Sequence, residues 1–179
     1  MQITETQNGI SLEPLDTGHT AALWHCISEH KLHLQPWIDW VGHCRSEADV
    51  AAYIHQTQDE AYRQEGLTMV VRSGNATVGI VSLQHWNRDL NIAELGFWIA
   101  ASEQGKGLMQ QAIRQLLSFG FKDLRLQKVE VACAAANTRA LRLLQYMGFS
   151  VEGVLRRAIL SKGLLTDKVV LGLLKEEYR

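Results

Sequence analysis

Cysteine is scarce in this chain: three in 179 residues, at Cys26, Cys44 and Cys133. The number is odd, the spacing is wide and no C-x-x-C pair exists. That excludes a disulfide framework and reads as reduced thiols in a cytoplasmic protein. His25, His30, His33 and His43 supply no zinc spacing either, so no metal is expected. Lys and Arg form no run, and the formal net charge is −1, which gives no reason to expect nucleic acid as a partner. No apolar stretch is long enough to cross a membrane, so no membrane association is expected. Met1-Gln2-Ile3-Thr4-Glu5 lacks the basic and apolar segments of a signal peptide. Repeats, low-complexity segments and linkers are absent too, so residues 1–179 read as a single domain. What remains, 46% hydrophobic and 21% charged, is an ordinary globular composition long enough to fill a core.

The periodicities alternate between two and three-to-four. Ile10 to Leu15 reads as a strand, and Asp16 or Thr17 can cap a helix carrying Ala21, Leu23, Trp24 and Ile27. Leu34 to Trp40 reads as an irregular aromatic segment. Ser46-Glu47-Ala48-Asp49 resembles a capping box and opens a helix with Val50, Ile54 and Ala61 on one side, ended by Gly66. Leu67 to Arg72 and Ala76 to Trp86 form a hairpin around Ser73-Gly74-Asn75. A strand from Ile92 to Ala100 precedes a helix with Met109, Ala112, Ile113, Leu116 and Leu117 on one face. Lys128 to Ala134 is strand-like, Asn137 caps a helix to Met147, and Gly148 stops it. Val154 to Leu160 and Leu164 to Leu174 close the chain as a hairpin. The order predicts an α/β (α+β) fold, a mixed sheet with a parallel pair at 92–100 and 128–134 and flanking helices.

Between that Ile92 strand and its helix lies Ser102-Glu103-Gln104-Gly105-Lys106-Gly107-Leu108-Met109. Two glycines one residue apart allow a tight turn and leave N–H groups free at the positive end of a helix, an arrangement that holds phosphate oxygens. A Walker loop is excluded because its G-x-x-x-x-G-K-[ST] pattern is absent. A dinucleotide fingerprint fails because Gln110 stands where its third glycine belongs. A plain strand-to-helix turn explains the two glycines equally well. Gly96, inside a strand, suggests a bulge or a close backbone approach by a ligand. If the parallel strands splay near Gly96 and Asn137, a linear amide-bearing ligand such as pantetheine can pair with the exposed backbone, its pyrophosphate meeting the glycine turn.

The segments AELGFWIAASEQGKGLM, KVEVACAAANTRALRLLQYMGF and EGVLRRAILSKGLLTDKVVL, in that order, resemble the GNAT N-acetyltransferase superfamily. More narrowly the chain is similar to its RimJ/RimL-like branch, which acetylates protein N-terminal amines, and the likeness covers nearly the whole chain, the early LHLQPWIDW included. The resemblance implies the GNAT fold with its splayed parallel pair, acetyl-CoA as donor, and a ternary complex without an acyl-enzyme. It implies that backbone amides around Gly105, Lys106, Gly107, Leu108 and Met109 hold the pyrophosphate, that Phe97, Trp98 and Ile99 lie along the pantetheine, and that Asn137 contacts the arm. A homodimer is expected by the same analogy. The chain departs from the pattern at Ser102, where Gln or Arg is usual. Ala140 replaces a Ser proposed to protonate the leaving thiolate, Leu144 replaces a Tyr used in other branches, and Ile159 stands where a carboxylate of the closing hairpin is expected.

Glu94, on the strand beside the expected acetyl position, is the candidate general base; the alternative is a solvated or ion-paired strand residue. His85, ending the preceding strand, either lines an acceptor pocket or is a plain exposed residue. Trp37 and Trp40 flank Asp39, which can hold an incoming ammonium group between aromatic walls, unless the segment is local core. Tyr146 reads as partly buried packing, and Arg139 and Arg142 as solvated helix residues or phosphate contacts. The expected activity is acetyl transfer to a primary amine, a protein or peptide N-terminus first. A small-molecule amine acetyltransferase and a non-catalytic CoA-binding module are the alternatives.

Overall fold

A computed structural model describes residues 9–178; Met1–Glu5, the segment read for a leader, lie outside them. The chain runs β1 (Ile10–Pro14), α1 (Thr20–Leu34), α2 (Asp39–His43), α3 (Glu47–Tyr62), β2 (Leu67–Ser73), β3 (Ala76–Asn87) and β4 (Ile92–Ile99). It continues with α4 (Leu108–Lys122), β5 (Lys128–Ala134), α5 (Thr138–Tyr146), β6 (Ser150–Ser161) and β7 (Leu164–Leu174). The strands form one seven-stranded sheet in the order β1-β2-β3-β4-β5-β7-β6. Among the described residues only β4 and β5 pair parallel; the other neighbours pair antiparallel. This is the mixed sheet with flanking helices that the sequence predicts. No helix among the described residues is long and apolar enough to cross a membrane.

Alternation along the strands splits the core in two. Met69, Val71, Val81, Leu83, Leu95, Val129 and Val131 pack against α4 and α5 on one face. Val70, Ile80 and Trp98 pack against α1 and α3 on the other. Helix α4 buries Met109, Ala112, Ile113, Leu116 and Leu117, the stripe expected from the sequence. Each of its fully buried Ile and Leu side chains, cut to Ala, would cost about 2–5 kcal/mol, so the helix that carries the glycine turn is firmly anchored. A Cβ on Gly120 would come within 3.1 Å of Leu126 and 3.3 Å of Leu83, so α4 lies close on the sheet there.

The β4–β5 ladder lasts only from the Ile92–Lys128 pair to the Glu94–Glu130 pair. Beyond it β4 stays with β3, to the Gly79–Ile99 pair, and β5 stays with β7, to the Ala134–Lys168 pair. The parallel strands therefore splay at their C-terminal ends.

Five local expectations are corrected. Helix α3 turns Ala61 to solvent and buries Thr57 in its place. The helix ends at Tyr62, and the left-handed residue after it is Gln64 (φ +58°), not Gly66. Gly66 is small for another reason: a Cβ there would sit 3.0 Å from the Leu83 carbonyl oxygen. The aromatic segment is not irregular throughout, because Asp39 starts the short helix α2. Strand β6 begins at Ser150, before Val154. No bulge falls at Gly96, whose register with Ser82 is regular; the bulge lies between Gln84 and Asn87. Gly96 makes room for its neighbour, since a Cβ would meet Ser82 Oγ at 2.6 Å.

Candidate active site

The splay is lined by backbone. The Ala100 N–H donates to the Val78 carbonyl, toward β3. By alternation, Phe97 and Ile99 turn their N–H and C=O groups the other way, into the gap that β5 has left. At the far end of this edge the chain passes Gly105 (φ +80°) and Gly107 (φ +76°), backbone conformations that disfavour residues with a Cβ. Gly107 is the N-cap of α4 and offers no side-chain acceptor to the first-turn amides. A Cβ added to it would meet nothing within 4 Å, so open space lies in front of those amides. Free N–H groups at the positive end of a fifteen-residue helix suit a phosphate.

A cavity of about 830 Å³ lies along this edge. Of the residues that the sequence marks for the cofactor, it touches Phe97, Trp98, Ile99, Gly105, Gly107, Leu108, Met109 and Asn137. Lys106 belongs to the turn but not to the lining; its Nζ sits 3.0 Å from the Glu103 carboxylate. Asn137 caps α5, its Oδ1 accepting from the Ala140 N–H at 3.2 Å, and the same residue lines the cavity. Arg139 also lines it and donates to Gln104 Oε1, while Gln104 Nε2 meets His33 Nε2. Burial first, then His30 and Arg139, holds the His33 imidazole below its usual range, so a neutral ring sits against the cavity. Arg142 lies outside both cavity linings.

A second cavity, of about 390 Å³, opens on the α1–α3 side of the splay and meets the first at Trp37, Phe97, Trp98, Asn137 and Ala140. Its floor holds Ser82, Gln84 and Glu94, and its rim holds Asp39, Trp40, Ile159 and Leu160. Trp40 stacks on Tyr53 at 3.9 Å and 8°, and Lys162 Nζ lies 5.5 Å from the centre of the Trp37 ring. Burial drives the Tyr53 phenol above its usual range, so it remains protonated. Asp39 is almost fully exposed at the rim, its side chain 92% accessible. His85 lies outside both linings and reaches the second cavity only through Glu94, with Nδ1 3.0 Å from Oε2. Tyr146, expected to be partly buried, is exposed and lines neither cavity. Ile159 does face the second cavity, so an apolar side chain sits where a hairpin carboxylate was looked for.

Sequence reasoning missed three of these residues. Tyr53 follows Val50 on a helix whose apolar face was read only for core. Cys133 lines the second cavity, and burial pushes its thiol up to about 11, so it is not a nucleophile near neutral pH. Gln104 joins α1 to α5 across a contact no local pattern signals. Among the described residues, no group of three or more His, Cys, Asp or Glu side chains is placed to hold a metal. The arrangement can therefore bind an extended, phosphate-ended amide along β4 and an amine beside Glu94, with the reacting ends meeting at the splay.

The family model described as an acetyltransferase (GNAT) domain matches residues 10–150. The ribosomal-protein-serine acetyltransferase of Escherichia coli (strain K12) is 23% identical over 159 residues, 87% of this chain and 89% of that one. The spermidine N(1)-acetyltransferase of the same organism is 28% identical over 109 residues, 61% of this chain and 59% of that one. RimL, a ribosomal L7/L12 alpha-N-protein acetyltransferase solved in complex with coenzyme A, superposes with a TM-score of 0.93 at 20% identity, covering 97% of this chain and 98% of that one.

Proposed function

This chain belongs to the acetyltransferase (GNAT) family and is an acetyl-CoA-dependent N-acetyltransferase, and we propose that the amine it acetylates is a protein or peptide N-terminus. The observation that carries the reading is the second cavity: aromatic walls, an exposed Asp39 at its rim, Glu94 at its floor, and a junction with the first cavity at the splay. An extended chain with one ammonium group fits such a site, with Trp37 and Trp40 beside the backbone and Asp39 meeting the charge on entry.

Acetyl-CoA suits the first cavity. The amides after Gly107 face open space where its pyrophosphate would lie, and the unpaired Phe97 and Ile99 backbone would pair with pantetheine, Asn137 closing the other side. Its thioester supplies an activated acetyl carbon and a thiol leaving group. The acceptor nitrogen attacks that carbon, the C–N bond forms and the C–S bond breaks. Glu94 takes the proton from the amine, and water protonates the departing thiolate, whose thiol has a pKa of about 8.5. No Ser or Tyr acid is required, consistent with Ala140 and Leu144 at the positions where other branches carry them. A cytoplasmic homodimer completes the proposal by analogy with the family.

The test is turnover with acetyl-CoA and a panel of Ser- and Met-initiated peptides, lysine-containing peptides with blocked N-termini, and spermidine. The N-terminal peptides are expected to react fastest, with the acetyl group located on the α-amine by mass spectrometry. Asp39→Asn should raise the peptide KM a few-fold and leave kcat unchanged, because the exposed carboxylate acts on binding alone. Turnover of spermidine with none of any peptide would overturn the acceptor class.

A further inference from the structure

Strand β3 breaks its register with β4 between Gln84 and Asn87. At this break His85 adopts φ +50°, a left-handed conformation that a residue with a Cβ rarely holds without a reason. The consequence follows from alternation. Leu83 points to the α4 face, Gln84 to the opposite face, and in an unbroken strand residue 85 would return to the α4 face. It does not: Trp86 takes that place, packing on the α4-side core. His85 is released toward the face that holds Glu94, and its Nδ1 lies 3.0 Å from Glu94 Oε2. The Glu65 carbonyl accepts from the Trp86 N–H at 2.9 Å, which pins the far side of the break. Backbone strain is thus held where it delivers one imidazole to one carboxylate.

The two partners differ in surroundings. The His85 side chain is 77% accessible and the Glu94 side chain 42%. Glu94 lines the acceptor cavity and His85 does not. On the other side of Glu94 its register neighbour Glu130 is engaged by Lys128 Nζ at 2.7 Å, and Lys128 also holds Glu152 at 2.8 Å. That ion-pair cluster gives Glu94 no donor. Nothing else described holds the Glu94 carboxylate, so the imidazole alone fixes its rotamer. A carboxylate accepts only, so Nδ1 carries the proton. With Oε2 occupied, Oε1 is left for the cavity.

We propose that His85 is a positioning residue: by donating Nδ1–H to Oε2 it aims the Glu94 carboxylate into the acceptor cavity. This rests on the reading of Glu94 as the base. Position 85 is suited to testing because glycine and asparagine both tolerate its backbone conformation. His85→Gly removes the donor and relieves the strain. His85→Asn restores a donor, its Nδ2 standing near the position of Nδ1. Turnover is measured with acetyl-CoA and the Ser-initiated peptide, or with spermidine if that proves the faster acceptor, alongside Glu94→Gln and the double variant.

His85→Gly is expected to lower kcat about 10-fold with KM for acetyl-CoA unchanged and melting temperature unchanged or higher. His85→Asn should recover most of the loss. Glu94→Gln should be slower still, and adding His85→Gly to it should cost nothing further, because the aimed group is already gone. Wild-type kcat in His85→Gly beside a slow Glu94→Gln would overturn the positioning role and leave the base intact. A raised acceptor KM with kcat unchanged in His85→Gly would make His85 a binding residue and overturn it equally. Wild-type kcat in Glu94→Gln would remove the base, and the inference with it.

Discussion

Replacing Gly107 by Val separates two effects that share one residue. Gly107 holds φ +76°, so any side chain there strains the backbone by about 1–2 kcal/mol. In a chain of 179 residues this lowers the melting temperature by about 2–8 °C. Inside the protein the new side chain meets no obstacle, because a Cβ at this position has nothing within 4 Å. Its atoms enter the open space at the start of α4, where the proposed pyrophosphate would lie. Losing two charge-assisted hydrogen bonds there, at about 1.5–3 kcal/mol each, weakens acetyl-CoA by more than about 100-fold. Acetyl-CoA at about a hundred times its Kd should stabilise the parent protein by about 2.7 kcal/mol, a rise of about 5–11 °C. In Gly107→Val that rise should vanish. Gly74→Val is the control: φ is +58°, a Cβ again meets nothing within 4 Å, and the residue lines neither cavity. It should lose the same few degrees and keep the full response. A Gly107→Val protein that responds like the control would refute the phosphate cradle.

Glu94→Gln should lower kcat by about 100-fold or more near neutral pH without altering acetyl-CoA binding. The deficit should narrow as pH rises past about 8, where an N-terminal amine is already neutral; a rate that is unchanged near pH 7 would return Glu94 to a structural role. Burial raises the Cys26 thiol from 9.0 to about 12. The folded state therefore keeps a proton that the unfolded state releases, so this stability is full below pH 9 and is lost as pH climbs towards 12. The slope approaches about 1.4 kcal/mol per pH unit, and denaturant titrations of Cys26→Ala should show a flatter decline over that range.

The glycine turn, the α4 stripe and the closing hairpin were legible because each is a local pattern: a period, a cap or a forced φ. The short β4–β5 ladder was anticipated only from what stands at the strand ends, Gly96 and Asn137, and of the two readings of Gly96 the bulge does not hold, because the register shifts between Gln84 and Asn87 of β3 instead. Gly96 is small because Ser82 Oγ crowds it, while the true break at His85 carries no glycine to announce it. The Gln104–His33 contact joins elements 71 residues apart, and no periodicity encodes such a meeting; the Trp40–Tyr53 stack joins neighbouring helices through a packing geometry that no local pattern announces. Ala61 misled because the buried face of α3 runs Val50, Ile54, Thr57, and Gly66 misled because the left-handed residue after the helix is Gln64, which is not a glycine.

The central claim is that two cavities meet at the splay and that the second takes a peptide N-terminus. A conjugate joining the CoA sulfur through a –CH2–CO– bridge to the α-nitrogen of a Ser-initiated peptide spans both cavities if the claim is right. Its Kd, measured by calorimetry against CoA alone and against the same conjugate of spermidine, is the most direct test. With both cavities engaged, the peptide conjugate is expected to bind at least about 100-fold tighter than CoA, and tighter than the spermidine conjugate, because the acceptor's binding becomes intramolecular. A peptide conjugate no tighter than CoA, or weaker than its spermidine counterpart, would show that the second cavity does not take a peptide N-terminus.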